Sequence, residues 1–288
     1  MSSLQILGAV ELGLIYGLVA LGVYLTFRVI DFPDLTVDGS FPLGAAVLAA
    51  MLTTGSSPAT ATFCAFLAGC VAGLITGALH IKGKIFGLLA GILTMTGLYS
   101  VNLRIMGRPN IALMSEPTLF LEHINPLWIL GVITILVLVL LICLLLSDFG
   151  LGMRAVGINS RVSLAYGINP DTMQFIALAL GNGIVALAGA LFTQHQGFAD
   201  ISMGAGTIIR GLAAVIIGEA LIRHSTKVPL ALLGCIGGSI VYHIAVAFAL
   251  SGSDIGLKAS DLNLITATLV AVTMILPRLK RRKGCVAS

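Results

Sequence analysis

The side chains able to do acid–base, nucleophilic or metal chemistry are few and scattered. His80, His123, His195, His224 and His243 form no HExxH pair, the spacing that sets two imidazoles on one helix face around zinc. Cys64, Cys70, Cys143 and Cys235 lie in apolar runs without a CxxC pair, and read as small buried residues rather than a disulfide or zinc site. The stretch 77–85, GALHIKGKI, echoes a phosphate loop, but five residues separate its glycines and Ile85 stands where a hydroxyl must hold magnesium. Any ATP chemistry therefore belongs to a separate chain. What remains are ionisable and polar residues set among apolar ones: Glu11, Arg210 and Glu219, and the run of Asp31, Asp34 and Asp38 in 28–44, RVIDFPDLTVDGSFPLG. At membrane depth such residues are functional candidates by default. Each also has an ordinary reading: Glu219 pairs with Arg223 one turn on, Glu11 snorkels outward, and 28–44 is a loop between helices. Asn102, Gln174, Asn182, Gln194 and His243 serve either interhelical hydrogen bonds or a pore lining. Asp38, Asn102, Asn182 and Glu219 are the pathway candidates.

The elements that must position these residues are helices in lipid. Of 288 residues, 58% are hydrophobic and 10% charged, with mean hydropathy +1.07. A soluble domain carries roughly 25% charged residues, so a soluble enzyme, a nucleic-acid binder and a disordered chain are excluded. The net charge of +4 is not spread as a nucleic-acid footprint; its densest run is 278–283. Hydropathy predicts about nine transmembrane helices at ~20 residues each: 4–27, 38–54, 59–79, 85–105, 127–146, 172–193, 205–222, 228–250 and 262–277. The fold class is an all-α polytopic membrane protein, one transmembrane unit over 1–277 with a basic tail at 278–288 and a broken or re-entrant segment near 30–44. The first span lacks a basic leader and a small-residue cleavage site, and reads as a retained helix. With the tail placed in the cytoplasm, twelve Lys and Arg fall on that side and three outside. Gly69, Gly73 and Gly77, and then Gly83, Gly87 and Gly91, recur every four residues, which predicts two glycine faces packed against each other.

The longest cytoplasmic segment is 147–171, SDFGLGMRAVGINSRVSLAYGINPD. Asn159 or Ser160 can cap a two-turn helix over 161–166, Gly167 can end it in the left-handed conformation, and Pro170 suits the first turn of the next helix. So short a helix is not stable alone in water. It either packs on a partner or lies on lipid headgroups.

GMRAVGINSRVSLAYGINPD, followed by an apolar helix with Gly181, Asn182, Gly183 and Ala188-Gly189-Ala190, resembles the cytoplasmic signature of ABC importer permeases of the branched-chain amino acid and ribose type. LIYGLVALGVYLTFRVIDFPDLTVDGSFPLGAA resembles that family's first helix and broken segment, and TIIRGLAAVIIGEALI the segment after its sixth helix. Together they cover most of the chain in the family's order, nearest to the branch labelled as tryptophan/tyrosine permeases. The resemblance implies that 147–171 holds a coupling helix docking on a cytoplasmic ATPase, with Arg154, Ala155, Gly157, Asn159, Arg161, Ala165, Gly167 and Ile168 at the matching positions. It further implies a second permease copy, an extracytoplasmic solute-binding protein, ATP and magnesium held on the partner rather than on this chain, and alternating access in a bacterial inner membrane. A zwitterion such as an amino acid is the expected cargo. A stand-alone secondary transporter or channel is the alternative.

Overall fold

The computed structural model describes residues 3–120, 125–222 and 227–251, together with Thr268. The predicted ninth span and the basic tail lie outside the described residues.

Local sequence sets most helix ends. Ser57, Asn125, Ser147, Asn159 and Asn169 each turn a side-chain oxygen back onto an amide of the first turn. These caps open α3 (Pro58–Ile81), α5 (Pro126–Leu146), α6 (Asp148–Ile158), α7 (Ser160–Ala165) and α8 (Pro170–Gln196). Pro58, Pro126 and Pro170 take first-turn positions where no N–H is needed. α4 (Gly87–Met106) ends at Gly107 in the left-handed conformation. Two three-residue strands, β1 (Asn110–Ala112) and β2 (Phe198–Asp200), pair antiparallel beyond the ends of α4 and α8.

Among the described residues, six helical stretches are long and apolar enough to span a membrane: 4–29, 58–81, 87–106, 126–146, 170–196 and 228–249. Two predicted spans are shorter than that. α2 (Val37–Thr53) has 17 residues and α9 (Thr207–Leu221) has 15. At 1.5 Å per residue they reach about 26 and 22 Å, short of the ~30 Å hydrocarbon core. The break is also tighter than expected. α1 (Ser3–Val23) runs into a π-helical turn over Tyr24–Val29, the chain is non-helical over 30–36, and Asp38, Gly39 and Pro42 already belong to α2. Thr26 marks the transition: its hydroxyl bonds to the carbonyls of Gly22 and Val23, while its own carbonyl accepts from the Phe32 amide at 2.9 Å.

α8 is the central helix. Glycines on three neighbours let them approach it at backbone distance: a β-carbon on Gly44 of α2 would collide with the Ala186 carbonyl, on Gly73 of α3 with the Leu178 carbonyl, and on Gly22 of α1 with the Gly181 carbonyl. This corrects the expectation that the two glycine faces meet each other. Gly69, Gly73 and Gly77 pack on α8, whereas Gly87 and Gly91 receive Phe32 and Leu35 of the broken segment. Gly83, expected on the second face, instead lies in the turn before α4 against Leu79, so spacing identified the first face and part of the second, but not their partners.

Candidate docking surface and translocation pathway

The 147–171 segment is a pair of helices rather than one. Ser147 accepts from the Gly150 amide at 3.3 Å and opens α6, an element the sequence reading did not separate from the loop. Asn159 then caps α7 by accepting from the amides of Arg161 and Val162, each at 3.1 Å. Gly167, at φ +80°, reverses the chain, and the Asn169 side chain accepts from Asp171 at 3.0 Å to open α8. Gly157 of α6 lies against the carbonyl of Val29, and Gly152 against Ile168 and Met173. The pair is thus braced on the π-helical turn that continues α1 and on the start of α8. On α7 only Ser163 turns inward; Val162, Leu164 and Tyr166 stand 50%, 62% and 82% exposed. Asn159, Arg161, Ala165 and Gly167 share this exposed surface, Arg154, Ala155, Gly157 and Ile168 are half-buried behind it, and Arg154 Nε is buried without a hydrogen-bond partner among the described residues. The eight sequence-derived positions therefore divide into an outer surface and a brace.

The pathway candidates separate as well. Asp38 lies in the first turn of α2 and accepts hydrogen bonds from the Ile208 amide at 2.7 Å and the Gly206 amide at 3.2 Å. It therefore caps α9, which has no side-chain cap of its own, from 170 residues away. Its charge sits where two helix N-termini converge and their dipoles favour an anion. Pro42, one turn along α2, has no N–H for the Asp38 carbonyl, and Gly204 packs onto both groups. Asn102 of α4 is fully buried, donates to the Gly39 carbonyl at 3.3 Å, and keeps an unpartnered Oδ1. Asp38 and Asn102 border one cavity of about 410 Å³ with Tyr99, Met95 and Ser202.

Asn182 is fully buried inside the chain. Its Nδ2 donates to Asp34 Oδ2 at 2.6 Å and its Oδ1 accepts from Ser40 at 2.7 Å. Asp34 also accepts from the Thr36 amide, and Thr36 shares a 2.7 Å hydrogen bond with Thr76 of α3. The broken segment is thereby tied to α2, α3 and α8, which satisfies polar groups that lipid could not. Glu219 is ion-paired with Arg28 at 2.7 Å, joining the ends of α9 and α1. The partner proposed from sequence, Arg223, lies outside the described residues. Glu11 is not snorkelling: it is buried and meets His195 Nε2 at 3.0 Å.

Sequence reasoning gave Tyr16 no role, yet it bonds to the guanidinium of Arg210 across 194 positions. No local pattern encodes a contact of that separation.

A polytopic helical bundle with two short apolar helices meeting end to end, and a braced helix pair left open at one end, has the architecture of a membrane permease subunit. The whole described length supports a family assignment. Residues 5–276 match the model of the branched-chain amino acid transport system permease component, and the chain belongs to that family. It is 42% identical over 265 residues to a tyrosine transport system permease protein of Clostridioides difficile (strain R20291), spanning 92% of this chain and 88% of that one. It is 30% identical over 208 residues to the autoinducer 2 import system permease protein LsrC of Salmonella choleraesuis (strain SC-B67), spanning 70% and 59%. Its fold resembles an inward-facing transporter described as of metal-chelate ABC type, with TM-score 0.53 and 15% identity over 96% of this chain and 86% of that one. The protein is a permease component of an ABC-type transporter, a multi-pass protein of the inner membrane.

Proposed function

We propose that this chain is the transmembrane subunit of an ATP-driven importer of an amino acid. It works as one of two permease copies, receives solute from an extracytoplasmic binding protein, and couples to a cytoplasmic ATPase that carries ATP and magnesium. The observation that carries this reading is α7: a capped six-residue helix with Val162 and Leu164 exposed and Tyr166 exposed just past its end, next to α6, which is braced on the turn after α1 and on the start of α8. A helix of that length needs a covering surface, and its apolar face with small residues at Ala165 and Gly167 suits a groove on another protein. The brace gives a route for movement, because Gly157 touches the end of α1 and Ile168 lies at the start of α8. Tilting α6 and α7 would load the two helices that flank the broken segment. Amino acid is the cargo favoured by the tyrosine permease relative, and the solute path is assigned to the cavity bordered by Asp38 and Asn102. Asn182 and Glu219 hold its surrounding helices in register.

The test is purification of the chain from its native membrane with an ATPase assay on whatever accompanies it. An ATPase is expected at equal stoichiometry. Ala165→Arg, at an exposed position with ordinary helical backbone, should lower solute-stimulated hydrolysis at least tenfold without loss of the chain. Gly167→Arg should do the same, with an added backbone cost of roughly 1–2 kcal/mol for a side chain in the left-handed region. A chain that purifies alone and moves solute without ATP would replace this reading with the secondary transporter.

A further inference from the structure

The turn between α3 and α4, residues 82–86, lies at the same end of the bundle as α6 and α7. Gly87, opening α4, receives Phe32 of the broken segment, and Gly157 of α6 rests on the Val29 carbonyl just before that segment. The turn is tightly closed. The amides of Lys82 and Gly83 both donate to the Ala78 carbonyl at 3.0 Å, the Ile85 amide donates to the Leu79 carbonyl at 3.2 Å, and His80 Nδ1 lies 2.8 Å from the Ile85 carbonyl. This frame displays Lys82 and Lys84. Both are exposed, and among the described residues neither is in an ion pair. Lys84 has φ +52°, a left-handed conformation that glycine adopts at less cost. A lysine retained there calls for a use of its charge. The exposed carboxylate of this corner, Asp31 beside Phe32, leaves the two lysines in excess.

Phe86 follows the lysines and is 72% exposed, a large apolar ring at the level where α4 enters the membrane. Beyond it the outward faces of both helices are apolar: Leu74 and Ile75 of α3, and Leu88, Leu89, Ile92 and Leu93 of α4, are all exposed. The α4 face then changes character, continuing as Thr96, Ser100 and Arg104, also exposed. Phe86 and Thr96 are ten positions apart, about 15 Å along a helix. That is half of the ~30 Å hydrocarbon core. The exposed apolar surface therefore matches the acyl chains of one leaflet, with two lysines at headgroup level. Lysines beside an apolar surface at this depth attract a net-negative headgroup over a zwitterionic one.

We propose that the corner formed by Lys82, Lys84 and Phe86 binds an anionic phospholipid of the leaflet at the α7 end, with its headgroup on the lysines and an acyl chain along the apolar faces of α3 and α4. The site goes beyond the transport reading and depends only on the chain spanning a bilayer.

The single native tryptophan, Trp128, lies in the first turn of α5 at the opposite end. Trp128→Phe removes it, so that Phe86→Trp supplies the only indole. In the full-length chain reconstituted into bilayers, quenching of that indole by dibrominated phosphatidylglycerol or dibrominated phosphatidylcholine reports which lipid occupies the corner. Each lysine near an anionic lipid is worth roughly fivefold in affinity, so phosphatidylglycerol should be preferred at least fivefold at low salt and less at about 0.5 M salt. Lys82→Gln together with Lys84→Gln should bring the two lipids within twofold of each other, and Lys84→Arg should keep the preference. Lys84→Gly separates charge from backbone: the unfolding midpoint should hold or rise while the preference falls. It also supplies the reading by itself should the double variant fail to reach the membrane. Equal quenching by the two lipids, quenching by neither because protein covers the corner, or a preference unchanged without the lysines would overturn the site. Failure of the permease reading shows separately, as a chain without an associated ATPase.

Discussion

The α7 surface and the meeting point of α2 and α9 are both built around helix N-termini, by opposite means. α7 is capped from within its own segment, by Asn159 reaching amides two and three residues ahead. α9 is capped by Asp38, 168 and 170 residues away, and the neighbouring broken segment is held by Asn182 of α8, 148 residues from its partner Asp34. A local cap closes within its own segment, which suits a helix whose outer face is exposed. A long-range cap forms only when the whole bundle has assembled, which suits a chain break placed among apolar helices. The difference teaches that one element is a displayed module and the other a keystone of the fold.

That distinction can be broken by mutation. The largest effect is expected from Asn182→Leu, which strands the buried Asp34 carboxyl and Ser40 hydroxyl. At about 1–3 kcal/mol for each buried group left unsatisfied, thermal unfolding in detergent should shift strongly and the yield of folded chain should fall. Asp38→Ala comes next. Loss of a cap that also meets two helix dipoles costs about 1–2 kcal/mol, while Asp38→Asn keeps acceptor atoms and should recover part of it. Asn159→Ala should cost about 1 kcal/mol locally, seen as faster amide hydrogen exchange over 160–165 with the global unfolding midpoint unchanged. A global shift from Asn159→Ala as large as that from Asp38→Ala would erase the contrast.

The smallest effect lies at the β1–β2 pair. The Ser202 hydroxyl, the Ser202 amide and Asn110 hydrogen-bond to the Asp200 carboxylate and hold its pKa below the ordinary carboxylate range. A depressed folded pKa means that the tie is fully present above the unfolded value of roughly 3.9 and is lost as pH falls through the lower folded value. Strand amide exchange should therefore quicken only in that acid window, and Asp200→Asn should remove the dependence.

Legibility followed the range of each interaction. A cap at Asn159 or Ser160, the left-handed Gly167 and the first-turn Pro170 are readable because each is satisfied within a few residues, and the structure gives the cap to Asn159; the same kind of cap at Asn169 is an addition of the structure. Ser147 carries the same kind of signal for α6, although hydropathy alone leaves that stretch within the connecting segment. The glycine faces at Gly69–Gly77 and Gly87–Gly91 were visible as period four, but their partners on α8 and the broken segment were not. Glu219 was read with the nearest cation in sequence, while the fold brings Arg28 to it. Asp38 stood out as a charge in an apolar run, but its role as the cap of α9 could not be inferred from either segment alone.

The sequence by itself determined the solvent, the helices, where most of them start and stop, and which short segment forms a capped helix between two others. Those properties depend on hydropathy and on hydrogen bonds closed within one turn. Only the tertiary structure decided that two of the expected spans are helices of 17 and 15 residues, that α8 is the shared packing partner, and that Arg210 and Tyr16 meet from 194 positions apart. Those outcomes depend on which helix faces come together in three dimensions, and apolar helices of similar composition leave that choice open until small residues, buried polar pairs and helix ends fit one another.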